Sequence, residues 1–147
     1  MKVVHRILVK YTIVIFLCFC HIGCPFSVKP VYFEDDKKIA LQLVEKFHSY
    51  LDDENFDAIY DLFSNKVRSQ QSKEQFINKL KVFRIEVGKV KTARNLKLDV
   101  TPQASFRIVH MIFSTQFENR LVSEEFDCLV DGQKATFDFY GHRDKVD

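Results

Sequence analysis

The stretch FINKLKVFRIEVGKVKTARNLKLDV, residues 76–100, changes its hydrophobic period half-way along, and that change decides the fold. In its first half Phe76, Leu80, Phe83 and Val87 follow at steps of four, three and four, the spacing of one helix face. Ser72 and Gln75, just upstream, stand at capping-box spacing, and Gly88 stops the helix as glycine does just past a helix end. In the second half the even positions Val90, Thr92, Arg94, Leu96, Leu98 and Val100 alternate with neighbours that are mostly lysine, asparagine and aspartate, which predicts a half-buried strand. Helix gives way to sheet at Gly88.

The same two periods divide the rest of the chain. In EDDKKIALQLVEKFHSYL (34–51) the residues Ile39, Ala40, Leu43, Val44, Phe47, Tyr50 and Leu51 form an amphipathic helical stripe, with Glu34, Asp35 and Asp36 at the positive end of the helix dipole. DDEN (52–55) breaks that pattern, and Phe56, Ile59, Tyr60 and Phe63 make one or two further turns. Downstream, SFRIVHMIFSTQF (105–117) is apolar on both parities, as an inner strand with both faces covered would be. LVSEEFDCLV (121–130) and KATFDFY (134–140) are joined by Asp131-Gly132, a strong hairpin signal. Three helices followed by four antiparallel strands predict an α+β domain over residues 34–147, large enough for one modest core. Fifteen phenylalanines and no tryptophan in the whole chain suggest an interior filled with aromatic bulk.

The N-terminal residues predict export. MKVVHRILVK carries Lys2, Arg6 and Lys10, and the uncharged run that follows has the order of a secretory signal. It is interrupted by His21, Gly23 and Pro25, short of the roughly 20 apolar residues of a spanning helix. Gly23-Cys24 resembles the lipobox of bacterial lipoproteins, which implies a signal peptide over 1–23, acylation of Cys24 and a lipid-anchored tether over 24–33; ordinary cleavage and an uncleaved anchor are the alternatives. On this reading Cys18 and Cys20 leave with the signal, Cys24 becomes the anchor, and Cys128 stays as the only thiol of the folded part. Removal of three basic residues turns the formal charge of +2 into a slight acidic excess, so the basic balance belongs to targeting and is no argument for nucleic acid. Neither a metal site nor a cofactor motif is expected.

Residues of about 36–142 resemble the nuclear transport factor two-like superfamily, and more narrowly a family of small secreted bacterial proteins of unknown function. The shared features are YLDDENFDAIYDLF (50–63) closing the first helix, FINKLKVFRIEVGKVKTAR (76–94) running from helix into strand, and the last hairpin around Asp131-Gly132. The resemblance implies a cystatin-like cone, with three N-terminal helices packed on a curved four-stranded antiparallel sheet. Members include isomerases, dehydratases and epoxide hydrolases with an acid and a base at the cavity mouth, small-molecule binders and assembly modules, so function rests on individual residues.

Arg94 and His110 are the candidate ligand-binding residues. Arg94 shares a strand parity with Val90, Leu96 and Leu98 and is suited to a bidentate anion; the plainer reading is a rim residue paired with Glu86 or Glu124. His110 lies between Ile108 and Ile112, and histidine is the usual general base near neutral pH. Catalysis would need a facing group such as Glu124, Asp138 or Tyr140; the plainer reading is a satisfied core or rim histidine. A hairpin turning at Pro102 would bring Arg94 opposite a position close to His110. His48 and His142 have weaker claims, Cys128 alternates with Phe126 and Val130 towards the core, and Asp52, Asp53 and Glu54 read as a solvated turn. The expectation is a lipid-anchored envelope protein acting as a non-catalytic small-ligand-binding or scaffold module, partnered by the membrane through Cys24 and by an envelope protein or small molecule. The alternative is a cone-type lyase or isomerase acting on a small apolar substrate, with His110 as base.

Overall fold

The structure is a computed structural model that describes residues 32–144; the expected signal peptide, Cys24 and the tether as far as residue 31 lie outside the described residues, and the last two residues of that expected tether begin the first helix. Among the described residues four helices precede four strands: α1 (Tyr32–Asp52), α2 (Phe56–Asp61), α3 (Asn65–Arg68), α4 (Lys73–Val87), β1 (Val90–Pro102), β2 (Arg107–Phe117), β3 (Leu121–Asp131) and β4 (Lys134–Asp144). The strands form one antiparallel sheet in the order β1-β2-β3-β4. This is the α+β class that the change of period predicts. The one-turn α3, capped by Ser64 Oγ, is additional to the three helices read from periodicity. No helix among the described residues is long and apolar enough to cross a membrane.

Each helix begins and ends for local reasons. The Asn55 side chain caps α2 by accepting from Ala58 N, and Ser72 and Gln75 form a complete capping box on α4. At the other end of α4, Gly88 has φ +79° and hands the chain to β1. A Cβ there would stand 2.7 Å from Glu118 Cβ, so both the backbone angle and the close approach of the β2–β3 turn require glycine. That turn is tied to the same corner by Glu118 N to Lys89 O, Asn119 N to Val87 O and the Arg120–Glu86 ion pair.

One face of the sheet packs on α1, α2 and α4. Val109, Met111, Phe113 and Phe117 of β2 and Val122, Phe126, Cys128 and Val130 of β3 meet Leu43, Val44, Phe47 and Leu51 of α1 and Leu80, Phe83 and Val87 of α4. α1 is also clamped to the start of β2, because the buried Asp36 carboxylate receives Arg107 Nη2 at 3.0 Å and faces Nε at 2.7 Å, the latter off the line of a good hydrogen bond. The other parity of β2, Ile108, His110 and Ile112, is only half-buried and no described element packs on it. The expectation of an inner strand covered on both faces is corrected: β2 is central in the sheet, but among the described residues one layer of helices covers one face.

β1 departs from simple alternation. Its pairing with β2 shifts between Val90 and Thr92 and again between Asn95 and Lys97. Each inserted residue reverses which parity faces the helices. Val90 pairs with buried Phe117, and Leu98 and Val100 pair with Met111 and Val109, whereas Arg94 pairs with Ser114 on the opposite face. Leu96 sits at the second irregularity, 47% exposed.

Candidate functional site

The register separates the two residues singled out from sequence. Gln103 N bonds Phe106 O and Pro102 pairs with Arg107, so the β1–β2 hairpin turns later than Pro102 and Arg94 falls opposite Ser114. His110 falls opposite Asp99. Four residues of β2 therefore separate His110 from the partner of Arg94, about 13 Å along an extended strand. Arg94 is exposed, and its guanidinium has neither Glu86, which pairs with Arg120, nor Glu124, which is bonded elsewhere. His110 Nδ1 lies 2.7 Å from Asp127 Oδ1 and its Nε2 3.8 Å from Glu125 Oε1, on the face away from the helices. The structure does not bring Arg94 and His110 into one site, and Glu124 and Tyr140 do not face His110.

A second, buried set of ionisable groups converges on the helix side. Glu124, on the buried parity of β3, has no exposed surface. Its Oε2 lies 2.9 Å from His48 Nε2 of α1, and its Oε1 accepts from the Tyr140 hydroxyl of β4 at 2.9 Å. Around them pack Phe47, Phe113, Phe117 and Phe126, each within ring-contact distance of His48. Burial, and then the Glu124 charge, push the Tyr140 phenol well above its ordinary range, so the hydroxyl stays protonated and donates. The Cys128 thiol is buried and free, and burial pushes it up too, which gives it no thiolate character.

Beside this cluster, between α4 and the edge strand β4, lies a cavity of about 290 Å³. Phe63, Phe76, Leu80 and Phe83 supply its apolar wall, and Tyr140 and His142 its sheet side. The wall is held by ring contacts, Phe63 to Phe76 at 4.9 Å and Phe83 to His142 at 4.2 Å between centroids. His142 pairs with Glu124 in the β3–β4 register and so points to the helix side. The residue as a whole is exposed, yet desolvation of the stacked ring is the largest influence on it and lowers its pKa below the usual histidine value, against the opposing pull of Glu124. The cavity exists because β4 is an edge strand that the helical layer covers only in part. The segment from Leu62 to Ser64 pairs with it at Phe137, through Phe137 N to Leu62 O and Ser64 N to Phe137 O, and the next part of the strand borders the cavity.

The rim is polar. Asp138 receives Ser64 Oγ at 2.8 Å and Lys66 Nζ at 2.6 Å; desolvation pulls its carboxyl up, but these bonds leave it below the usual range. Gln70, Gln71 and Lys79 complete the mouth. No group of three or more metal-ligating side chains occurs among the described residues.

Part of this site has a sequence signal. Val122, Phe126, Cys128 and Val130 mark the buried parity of β3, and Glu124 stands on it. His48 likewise stands on the α1 stripe, four residues after Val44 and three before Leu51. A charged residue on an apolar stripe is the informative observation. Comparison with protein-family models, curated proteins and solved structures gives no match.

Proposed function

We propose that the chain is an exported bacterial envelope protein, anchored through lipid on Cys24, whose domain is a cystatin-like cone that holds a small ligand without transforming it. The observation that carries this reading is the cavity between α4 and β4, at the small end of the size range of ligand sites, with an apolar wall and a polar rim. The carboxyl groups and the phenol around it are already engaged, which argues against their use in turnover. Tyr140 donates to Glu124, Glu124 is closed to solvent, and Asp138 is matched by Lys66 and Ser64. The lyase or isomerase reading draws no support from His110, which lies on the other face of the sheet from this cavity.

A neutral apolar fluorophore, N-phenyl-1-naphthylamine, is expected to bind one to one. Leu80→Trp, which places an indole where a 5% exposed leucine borders the cavity, should remove that binding while leaving a cooperative melt. Undiminished binding in folded Leu80→Trp, or none in the parent protein, defeats the cavity as a ligand site. The anchor is tested separately. Radiolabelled palmitate should enter the protein in a bacterial host, and Cys24→Ser should abolish the label; labelling that persists in that variant removes the anchor from the proposal.

A further inference from the structure

We propose that the cavity takes an amphipathic oxyanion, a carboxylate or phosphate head on a short apolar tail, with the head held at the mouth by Lys79, Gln71 and Gln75. This rests on the cavity being a ligand site and adds the chemistry of the ligand. Two hydrogen bonds fix the polarity of the mouth. Lys79 Nζ lies 2.8 Å from the Gln71 side chain, and because an ammonium only donates, the amide atom facing it is the oxygen. The backbone N–H of Ser72 bonds the Gln75 side chain at 3.3 Å, and the same reasoning makes that atom the oxygen as well. Both amides are left with their NH₂ groups as the free ends. Gln71, Gln75 and Lys79, with Gln70 and Asn78, border a shallow polar recess that shares Gln70, Gln71 and Lys79 with the cavity. The mouth therefore offers donors.

It also offers a net positive charge. Lys79 has no carboxylate partner among the described residues. The acid beside the cavity, Asp138, already has its charge matched by Lys66, and desolvation disfavours the imidazolium form of His142. An uncompensated ammonium flanked by the NH₂ groups of Gln71 and Gln75 is complementary to a group that accepts hydrogen bonds and carries negative charge. Behind the mouth the wall is Phe76, Leu80 and Phe83. A wholly polar anion leaves that wall in contact with water, and a neutral alcohol leaves the ammonium without a counter-charge. A ligand that is an anion at one end and apolar at the other satisfies both.

The test is displacement of bound N-phenyl-1-naphthylamine from the full-length protein at neutral pH by hexanoate, hexyl phosphate and 1-hexanol, with matched tail length. At least one of the two anions should displace the probe at about tenfold lower concentration than the alcohol, equivalent to roughly 1.4 kcal/mol. The better anion identifies the head group. Lys79→Gln should erase that preference, Lys79→Arg should retain most of it, and added salt should reduce it, because the mouth is open to solvent. The proposal is overturned if the alcohol competes as well as both anions, if none of the three displaces the probe, or if Lys79→Gln leaves the preference intact. Any of those results, obtained with probe binding that is still lost in Leu80→Trp, removes the oxyanion and leaves the cavity standing. Absence of probe binding in the parent protein removes both.

Discussion

His48→Ala is expected to destabilise the domain by about 3–5 kcal/mol, because it deletes a buried ring and leaves the buried Glu124 carboxyl without one of its two partners. The size of the effect comes from Glu124, which has no exposed surface and would keep only the Tyr140 hydroxyl as a partner. Total stabilities of small domains are about 5–15 kcal/mol, so such a loss threatens folding at 37 °C. The alanine also deletes ring contacts with Phe47, Phe113, Phe117 and Phe126, and a second variant separates packing from charge. With both His48→Leu and Glu124→Met the buried polar pair is replaced by apolar bulk, and replacements of that kind are often neutral or stabilising. The double variant should therefore be much more stable than His48→Leu alone, measured by urea unfolding. Equal instability of the two would show that Glu124 does not need His48. Tyr140→Phe gives an independent check through pH. The folded phenol has a raised pKa, so its contribution is intact below the unfolded value of about 10 and is lost as pH rises from there through the folded value. The alkaline loss of stability should be shallower in Tyr140→Phe, with the buried Cys128 thiol supplying a similar limb in both proteins.

The elements were legible where one physical rule acted alone. Phe76, Leu80, Phe83 and Val87 are buried on α4 as their spacing requires, and Ser72, Gln75 and Gly88 bound the helix where their chemistry places them. β1 was legible as a strand but its faces were not, because an extra residue in β1 between Asn95 and Lys97 reverses the alternation and nothing in RNLKL announces it. That reversal puts Arg94 on the outer face that His110 also occupies, and the hairpin closed at Pro102–Arg107 is what sets the two apart along the sheet. The facing of His110 was hidden for another reason. Both parities of β2 are apolar, so alternation could not decide between Val109 and His110 as the inward residue. In β3 the pair Glu124-Glu125 looks like one polar point, although one carboxylate is sealed in the core and the other stands on the outer face. The cavity was beyond sequence altogether, since it depends on how far α4 stands from an edge strand whose beginning is covered by Leu62–Ser64.

Phe126→Ala is expected to cost about 3–5 kcal/mol, the usual range for truncating a buried aromatic, and to lower the melting temperature on the order of 10–20 °C. The choice of Phe126 over the other buried phenylalanines follows from its neighbours. It has no exposed surface, and its ring meets Phe47 at 5.5 Å, Phe113 at 5.8 Å, Phe137 at 5.2 Å and Tyr140 at 5.0 Å between centroids. These residues come from α1, β2 and β4, so one ring on β3 joins the helical layer to the sheet. Several of the contacts are edge-to-face, an arrangement that adds to the simple burial of apolar area. Backbone hydrogen bonds on both sides hold β3 in place, so the site cannot collapse easily around an alanine, and the cost should fall at the upper end of the range. Phe126→Leu, which keeps most of the volume, should lose much less. If the alanine leaves an open apolar void, benzene should raise the melting temperature of Phe126→Ala and leave the parent protein little changed, because dry apolar cavities bind such molecules. A loss below about 1 kcal/mol for the alanine would contradict the central position of this ring. A rescue by benzene that is equally strong in the parent protein would instead place the ligand in the existing cavity between α4 and β4, whose wall of Phe63, Phe76 and Phe83 is already apolar.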